Sequence, residues 1–159
     1  MAGRLLFLTE RHAPDEGGVA TSATRIARSL ASLGNQVDVI CWTRALDAGV
    51  VHQEDGNPSV LRVGRFREWD STLPHTLNIL DWMLSRNRYI GIWGHYLNPA
   101  GFMAAFFGKQ NRIPSMVSIR GNDLDREMFP PGDFARLEWT LRNSSMVTSV
   151  TRALAAKAE

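Results

Sequence analysis

Short apolar runs rich in β-branched residues alternate along the chain with longer stretches whose apolar positions recur every three or four residues. That alternation is the signature of a parallel sheet covered by helices on both faces. The short runs predict strands at residues 5–9, 37–42, 60–63, 89–93, 116–119 and 146–149. The periodic stretches predict helices over 19–33, 73–86, 99–109, 133–142 and from 151 onward. Six strands in β-α-β order describe an α/β fold, a doubly wound, mostly parallel Rossmann-like sheet forming one domain over 1–159. The first helix is the best specified. Ile26, Leu30 and Leu33 share one face, and Gly34 supplies a left-handed stop. Residues 43–59 are rich in turn formers and read as a surface loop with a short strand at 50–52.

Composition narrows the class. In 159 residues, 44% hydrophobic and 21% charged content is that of a globular domain, with a net charge of +2 from scattered cations. Scattered rather than clustered arginines argue against nucleic acid. They leave room for peripheral contact with anionic membranes or phosphorylated ligands. The single cysteine, Cys41, has no partner for a disulfide or for a metal site and reads as a small buried hydrophobe. No apolar run approaches the ~20 residues that cross a bilayer, and no signal peptide opens the chain, so the expected place is the cytoplasm or its membrane surface.

Candidate chemistry gathers where strands give way to helices. Between the first strand and first helix lies RHAPDEGGVA, with the pair Gly17-Gly18. A dinucleotide fingerprint needs three spaced glycines, and a Walker loop needs lysine followed by serine or threonine; both are missing. The pair can still turn sharply and expose backbone N–H groups at a positive helix end, or it can simply join strand to helix. Further on, His95 follows Gly94, and Arg120 opens the turn Arg120-Gly121-Asn122-Asp123. The carboxyl ends of parallel strands share one edge, so Gly17, Gly18, His95, Arg120, Asn122 and Asp123 are expected on one cleft. His95 has an alternative as a helix cap, and Asp123 has one as the residue that closes its turn. Trp69, Trp82, Trp93 and Trp139 read as core aromatics.

In order along the chain, four stretches carry a resemblance: RHAPDEGGVA, LASLGNQVDVICW, HYLNPAGFMAAFFGKQNRIPSMVSIRGND and LRNSSMVTSVTRALAAKA. Together they resemble the N-terminal domain of GT-B fold, family 4 glycosyltransferases, the retaining group that uses nucleotide sugars. Two departures stand out: Arg120 occupies a position where the family often has histidine, and Asn35-Gln36 follow Gly34 where Gly-His is common.

The resemblance implies an acceptor-side half of a hexosyltransferase-like enzyme. Its partner would be a C-terminal nucleotide-sugar-binding domain, whose Glu-x7-Glu element does not follow Asp123 here, and the isolated chain is expected to be inactive. His95 and Arg120 would be the catalytic positions, and Gly17, Gly18, Asn122 and Asp123 would bind substrate. A nucleotide-diphosphate sugar would serve as co-substrate, with no cofactor and no metal. The acceptor would be a glycan, a lipid-linked sugar or a small molecule. Two other classes stay open: a non-catalytic glycan-binding or assembly module, and half of a nucleotide-sugar epimerase. An apolar face awaiting the second domain would also favour self-association.

Overall fold

The computed structural model describes residues 3–121, 123–127 and 131–158. Two compact units divide the chain, Met1–Ile90 and Gly91–Glu159. Each is an α/β unit of Rossmann-like character.

The first unit contains β1 (Arg4–Thr9), α1 (Gly18–Ser32), β2 (Gln36–Thr43), β3 (Val51–Glu54), β4 (Ser59–Gly64) and α2 (Trp69–Arg86). Its strand order is β3-β4-β2-β1. β1 runs parallel to β2, and β2 parallel to β4, while β3 joins β4 antiparallel. Phe7, Leu8, Val39, Ile40 and Val63 are buried, as strands covered on both faces require. Ala20, Ala23 and Ala27 form the buried stripe of α1, where small side chains let the helix lie close to its neighbours.

A carboxylate is among the polar groups buried in this unit. The buried Asp38 carboxylate accepts from Arg4 Nε and Nη2 at 2.6 and 3.0 Å, from Tyr89 Oη at 2.6 Å and from Ser59 Oγ at 2.7 Å. Burial alone would push its pKa up. The donors from Arg4, Tyr89 and Ser59 more than offset that, and the group stays below the ordinary carboxylate range.

The second unit contains β5 (Gly91–His95), a π-type turn (Leu97–Gly101), α3 (Phe102–Asn111), β6 (Ser115–Ile119), α4 (Asp123–Glu127), α5 (Pro131–Asn143), β7 (Met146–Ser149) and α6 (Arg152–Ala158). β5, β6 and β7 are parallel neighbours. Leu97, Val117, Ile119, Leu124 and Leu137 form a buried cluster, with Leu141 and Leu154 against it.

Several expected boundaries move, each for a local reason. β3 lies inside the expected loop and runs longer than the short strand foreseen there. It is an edge strand with exposed side chains, so no apolar alternation marks it. α2 begins a turn before residue 73, because Thr72 Oγ1 accepts from the Phe66 N–H at 3.1 Å and donates to Glu68 O at 3.2 Å. Pro74 therefore sits inside the helix rather than in its first turn. α3 begins at Phe102 rather than Pro99, since Asn98 keeps extended angles within the preceding turn.

Candidate functional site

The loop carrying the glycine pair is held from two sides. The Ala13 N–H donates to Thr24 Oγ1 at 3.0 Å, which ties the loop to α1. From β4, Arg62 donates through Nη2 to the Ala13 carbonyl, through Nε to Glu54 Oε1 at 2.5 Å and through Nη1 to Cys41 Sγ at 3.5 Å. A buried arginine thus fixes the loop to the sheet through three groups. His12 is buried in the same loop, with Nδ1 3.3 Å from Ala13 O and Nε2 without a partner. Burial lowers its pKa, so the neutral ring with its proton on Nδ1 fits this setting. The Cys41 thiol is pushed up to about 12 by burial and is no nucleophile.

At the end of this loop Gly17 is the N-cap of α1, at φ 113°, and no side chain caps the helix. No acidic residue occupies the first turn, so no side chain of that turn offsets the positive end of the helix. The two glycines differ in what they demand. Gly17 needs a backbone region that side chains rarely enter, whereas Gly18 does not, and a Cβ at either position would meet nothing within 4 Å. Gly17→Ala is therefore expected to lose about 1–2 kcal/mol of stability. Gly18→Ala should stay within about 0.5 kcal/mol of the parent. Urea titration of the two variants checks this, and equal losses would contradict it.

A cleft of about 530 Å³ opens beside the loop, at the carboxyl ends of β1, β2 and β4. It is lined by Glu10, Arg11, Asp15 and Glu16 from the loop, by Trp42 to Ala45, and by Arg65 and Trp69. Gly64 lets the 43–50 segment lie across the end of β4, where an added Cβ would come within 1.9 Å of Asp47 O. Trp42 is anchored by Nε1 donation to Thr76 Oγ1 at 2.8 Å, and it meets Trp69 edge-on at 5.4 Å. The Arg65 guanidinium lies 4.8 Å above the Trp69 ring.

The sequence reading missed Trp42, Arg44 and Arg65 as lining residues and assigned Trp69 to the core. A signal was available: each follows or ends a strand of the sheet, at the edge where open α/β sheets place ligands. Of the other tryptophans, Trp139 packs with Phe102 and Phe106, Trp93 donates to Ser118 Oγ at 2.7 Å, and Trp82 is half exposed under Arg86.

In the second unit, His95, Arg120 and Asp123 come together. The two Asp123 carboxylate oxygens accept from the Arg120 N–H at 3.3 Å. Oδ1 accepts from the Gly121 N–H at 3.1 Å, and Oδ2 from the Leu97 N–H at 3.4 Å. The side chain thereby fastens the turn after β6 to the turn after β5. His95 ends β5, fully buried, with the Tyr96 ring edge-on at 5.1 Å. Asn122 lies outside the described residues.

Burial, reinforced by the Arg120 charge, pushes the His95 imidazole down to about 4. The ring is therefore neutral near pH 7 and acts as a hydrogen-bonding group rather than a cation. An unfolded histidine takes its proton near pH 6.5, so between 6.5 and 4 the unfolded chain binds a proton that the folded chain refuses. Stability is full above pH 6.5 and falls below it, by about 2 kcal/mol at pH 5. Urea unfolding at pH 7 and pH 5, compared with His95→Gln, checks this. The variant should lose less on acidification, and an equal loss would refute the assignment.

Three further features bear on chemistry. Among the described residues no cluster of histidine, cysteine or carboxylate side chains fits a metal ion. No described helix is long and apolar enough to cross a membrane. Lys109, Arg112 and Arg142 line a second cleft at the amino ends of β6 and β7, where the carbonyl ends of α3 and α5 account for gathered cations.

With this geometry in hand, comparison with known proteins is informative. The model of the glycosyl transferase 4-like domain matches residues 17–159. The chain matches no curated protein sequence. Among solved structures it is similar to a Listeria monocytogenes structure assigned provisionally as a UDP-N-acetylglucosamine 2-epimerase (TM-score 0.69, 8% identity, covering 99% of this chain and 42% of that one). It is also similar to the UDP-GlcNAc 2-epimerase of Methanocaldococcus jannaschii (TM-score 0.65, 14% identity, 98% and 41%). At these identities the likeness shows the fold. The chain spans about two fifths of the length of either structure.

Proposed function

Because the chain belongs to the glycosyl transferase 4-like family, we propose that it is the acceptor-binding half of a retaining glycosyltransferase that uses a nucleotide-diphosphate sugar. The observation that carries this reading is the cleft at the carboxyl ends of β1, β2 and β4, bordered by a glycine loop that Arg62 and Thr24 hold in place. Glu10, Asp15 and Glu16 are suited to accept from acceptor hydroxyls, and the tryptophan pair offers an apolar wall to a sugar ring.

In this reading a second Rossmann-like domain holds the nucleotide. The uncapped N–H groups of α1 approach the donor diphosphate, where negative charge grows as the leaving group departs. Arg120 is half-buried, and it orients a phosphate or hydroxyl of the substrates. His95 acts as a neutral positioning group behind it, and Asp123 fixes the turn that presents it. Asn122 would bind substrate as well. The donor sugar is a co-substrate, and the reading calls for no cofactor. The enzyme would work in the cytoplasm or against the membrane surface, on a glycan, lipid-linked or small-molecule acceptor.

The test is sugar transfer by the full protein that carries this chain, offered a panel of nucleotide-diphosphate sugars with and without acceptors. Transfer with retained anomeric configuration, read by mass and proton NMR, is the expected result. Epimerised donor in the absence of any acceptor would overturn it in favour of the epimerase class. Glycan binding without turnover would overturn it in favour of a binding module.

A further inference from the structure

We infer that the part of the acceptor held in the cleft beside the glycine loop is an uncharged, hydroxyl-rich saccharide ring, selected by the balance of charge around that cleft. This rests on the acceptor-binding reading of the cleft and narrows the class of acceptor.

The inference begins with the lining. Arg11, Arg44 and Arg65 stand with Glu10, Asp15 and Glu16 around one cleft of about 530 Å³. Opposite charges that serve the fold close on each other, as Arg4 does on Asp38 and Arg62 on Glu54 in the same unit. In the cleft, by contrast, no hydrogen bond or ion pair joins any two of the six side chains. Arg65 rests on the Trp69 ring instead. Glu10, Asp15 and Arg65 are half-buried, so these charges are partly withdrawn from water without having closed on one another. The lining thus keeps donors and acceptors apart around an open space rather than spending them on internal pairs.

A charged ligand gains little from such a lining. An anion is drawn by three arginines and repelled by three carboxylates, and a cation meets the reverse. Equal charges of each sign leave no net field to offset the cost of taking the ligand's own charge out of water. A polyol carries no such cost. Each hydroxyl both donates and accepts, so one molecule can give protons to the carboxylates and accept from the guanidinium groups. Trp42 and Trp69 add carbon surface to the same wall, which a pyranose meets with its C–H face and a phosphate does not.

Saturation-transfer NMR and isothermal titration of the full protein at low salt test this. The probes are methyl glucoside, methyl mannoside and methyl galactoside, each beside its 6-phosphate, its uronic acid and its 2-amino analogue. At least one neutral ring is expected to bind tenfold or more tighter than all three of its charged counterparts. Two variants at exposed positions then tip the balance. Glu16→Gln leaves the lining net positive and should cut the preference over the phosphate and the uronic acid about threefold, while keeping the preference over the amino sugar. Arg44→Gln leaves it net negative and should do the opposite. Charged counterparts that bind as well as every neutral ring, variants that move the two preferences alike or not at all, or no binding by any probe would each overturn the inference. Sugar transfer to phosphorylated or uronic acceptors as good as to neutral ones would sink it and leave the glycosyltransferase reading standing. A charge-tuned preference for neutral rings without sugar transfer would do the reverse.

Discussion

Asp38→Ala is expected to destabilise the first unit by about 3–5 kcal/mol, the range for breaking a buried ion pair by removing one partner. Three donors converge on that carboxylate, and the substitution strands them differently. The Arg4 side chain is about one-third exposed and can turn to water. Tyr89 is buried, and its hydroxyl would be left facing the cavity with no acceptor there. Ser59 Oγ loses its partner as well. Asp38→Asn keeps the volume and part of the bonding, so it should lose less than the alanine variant. Urea unfolding followed by tryptophan fluorescence measures both. A loss under about 1 kcal/mol for Asp38→Ala would mean that Arg4, Tyr89 and Ser59 find other partners at little cost.

Gly94→Ala should cost a similar amount in the second unit, about 4 kcal/mol, beyond the usual penalty of an overpacked core. A Cβ at residue 94 would stand 2.5 Å from the Gly101 Cα, 2.6 Å from Ala100 O and 2.7 Å from Gly101 N. These are backbone atoms, so no side chain can swing aside to make room. The π-type turn would have to move away from β5, carrying Leu97 off the Asp123 carboxylate. The substitution therefore reads out twice, as a lowered urea midpoint and as faster amide exchange at Leu97 and Arg120. A stable variant with unchanged exchange would show that the turn can shift without its neighbours.

How much of this was legible beforehand depended on whether the deciding partner lay nearby in the sequence. β1, β2 and β6 are continuous apolar runs, and burial on both faces is the only use such runs have in a small α/β unit, so they were read to within a residue or so. β3 was foreseen only as a short strand in a loop, because its side chains face solvent and its pairing depends on β4. β5 was read two residues early. Tyr89 looks like a strand residue, yet its burial serves the Asp38 cluster, 51 positions away in sequence. The same limit governs the site. That His95 and Arg120 would meet followed from parallel strands ending at one edge. The cleft wall made by Arg65 over Trp69 and Trp42 against Trp69 was not legible, because periodicity encodes neither contact.

Arg62 carries a consequence for engineering and descent. The loop before α1 looks like a transferable cassette, the eight residues 10–17 bounded by a strand and a helix, yet part of its shape is written 49 residues downstream, at the arginine that holds the Ala13 carbonyl. A graft of the loop onto another sheet without that arginine moves the letters and leaves behind one of the two clamps that fix them. Chimeras of such domains would therefore be cut more safely after β4 than after α1, so that the loop and its distant anchor are inherited together.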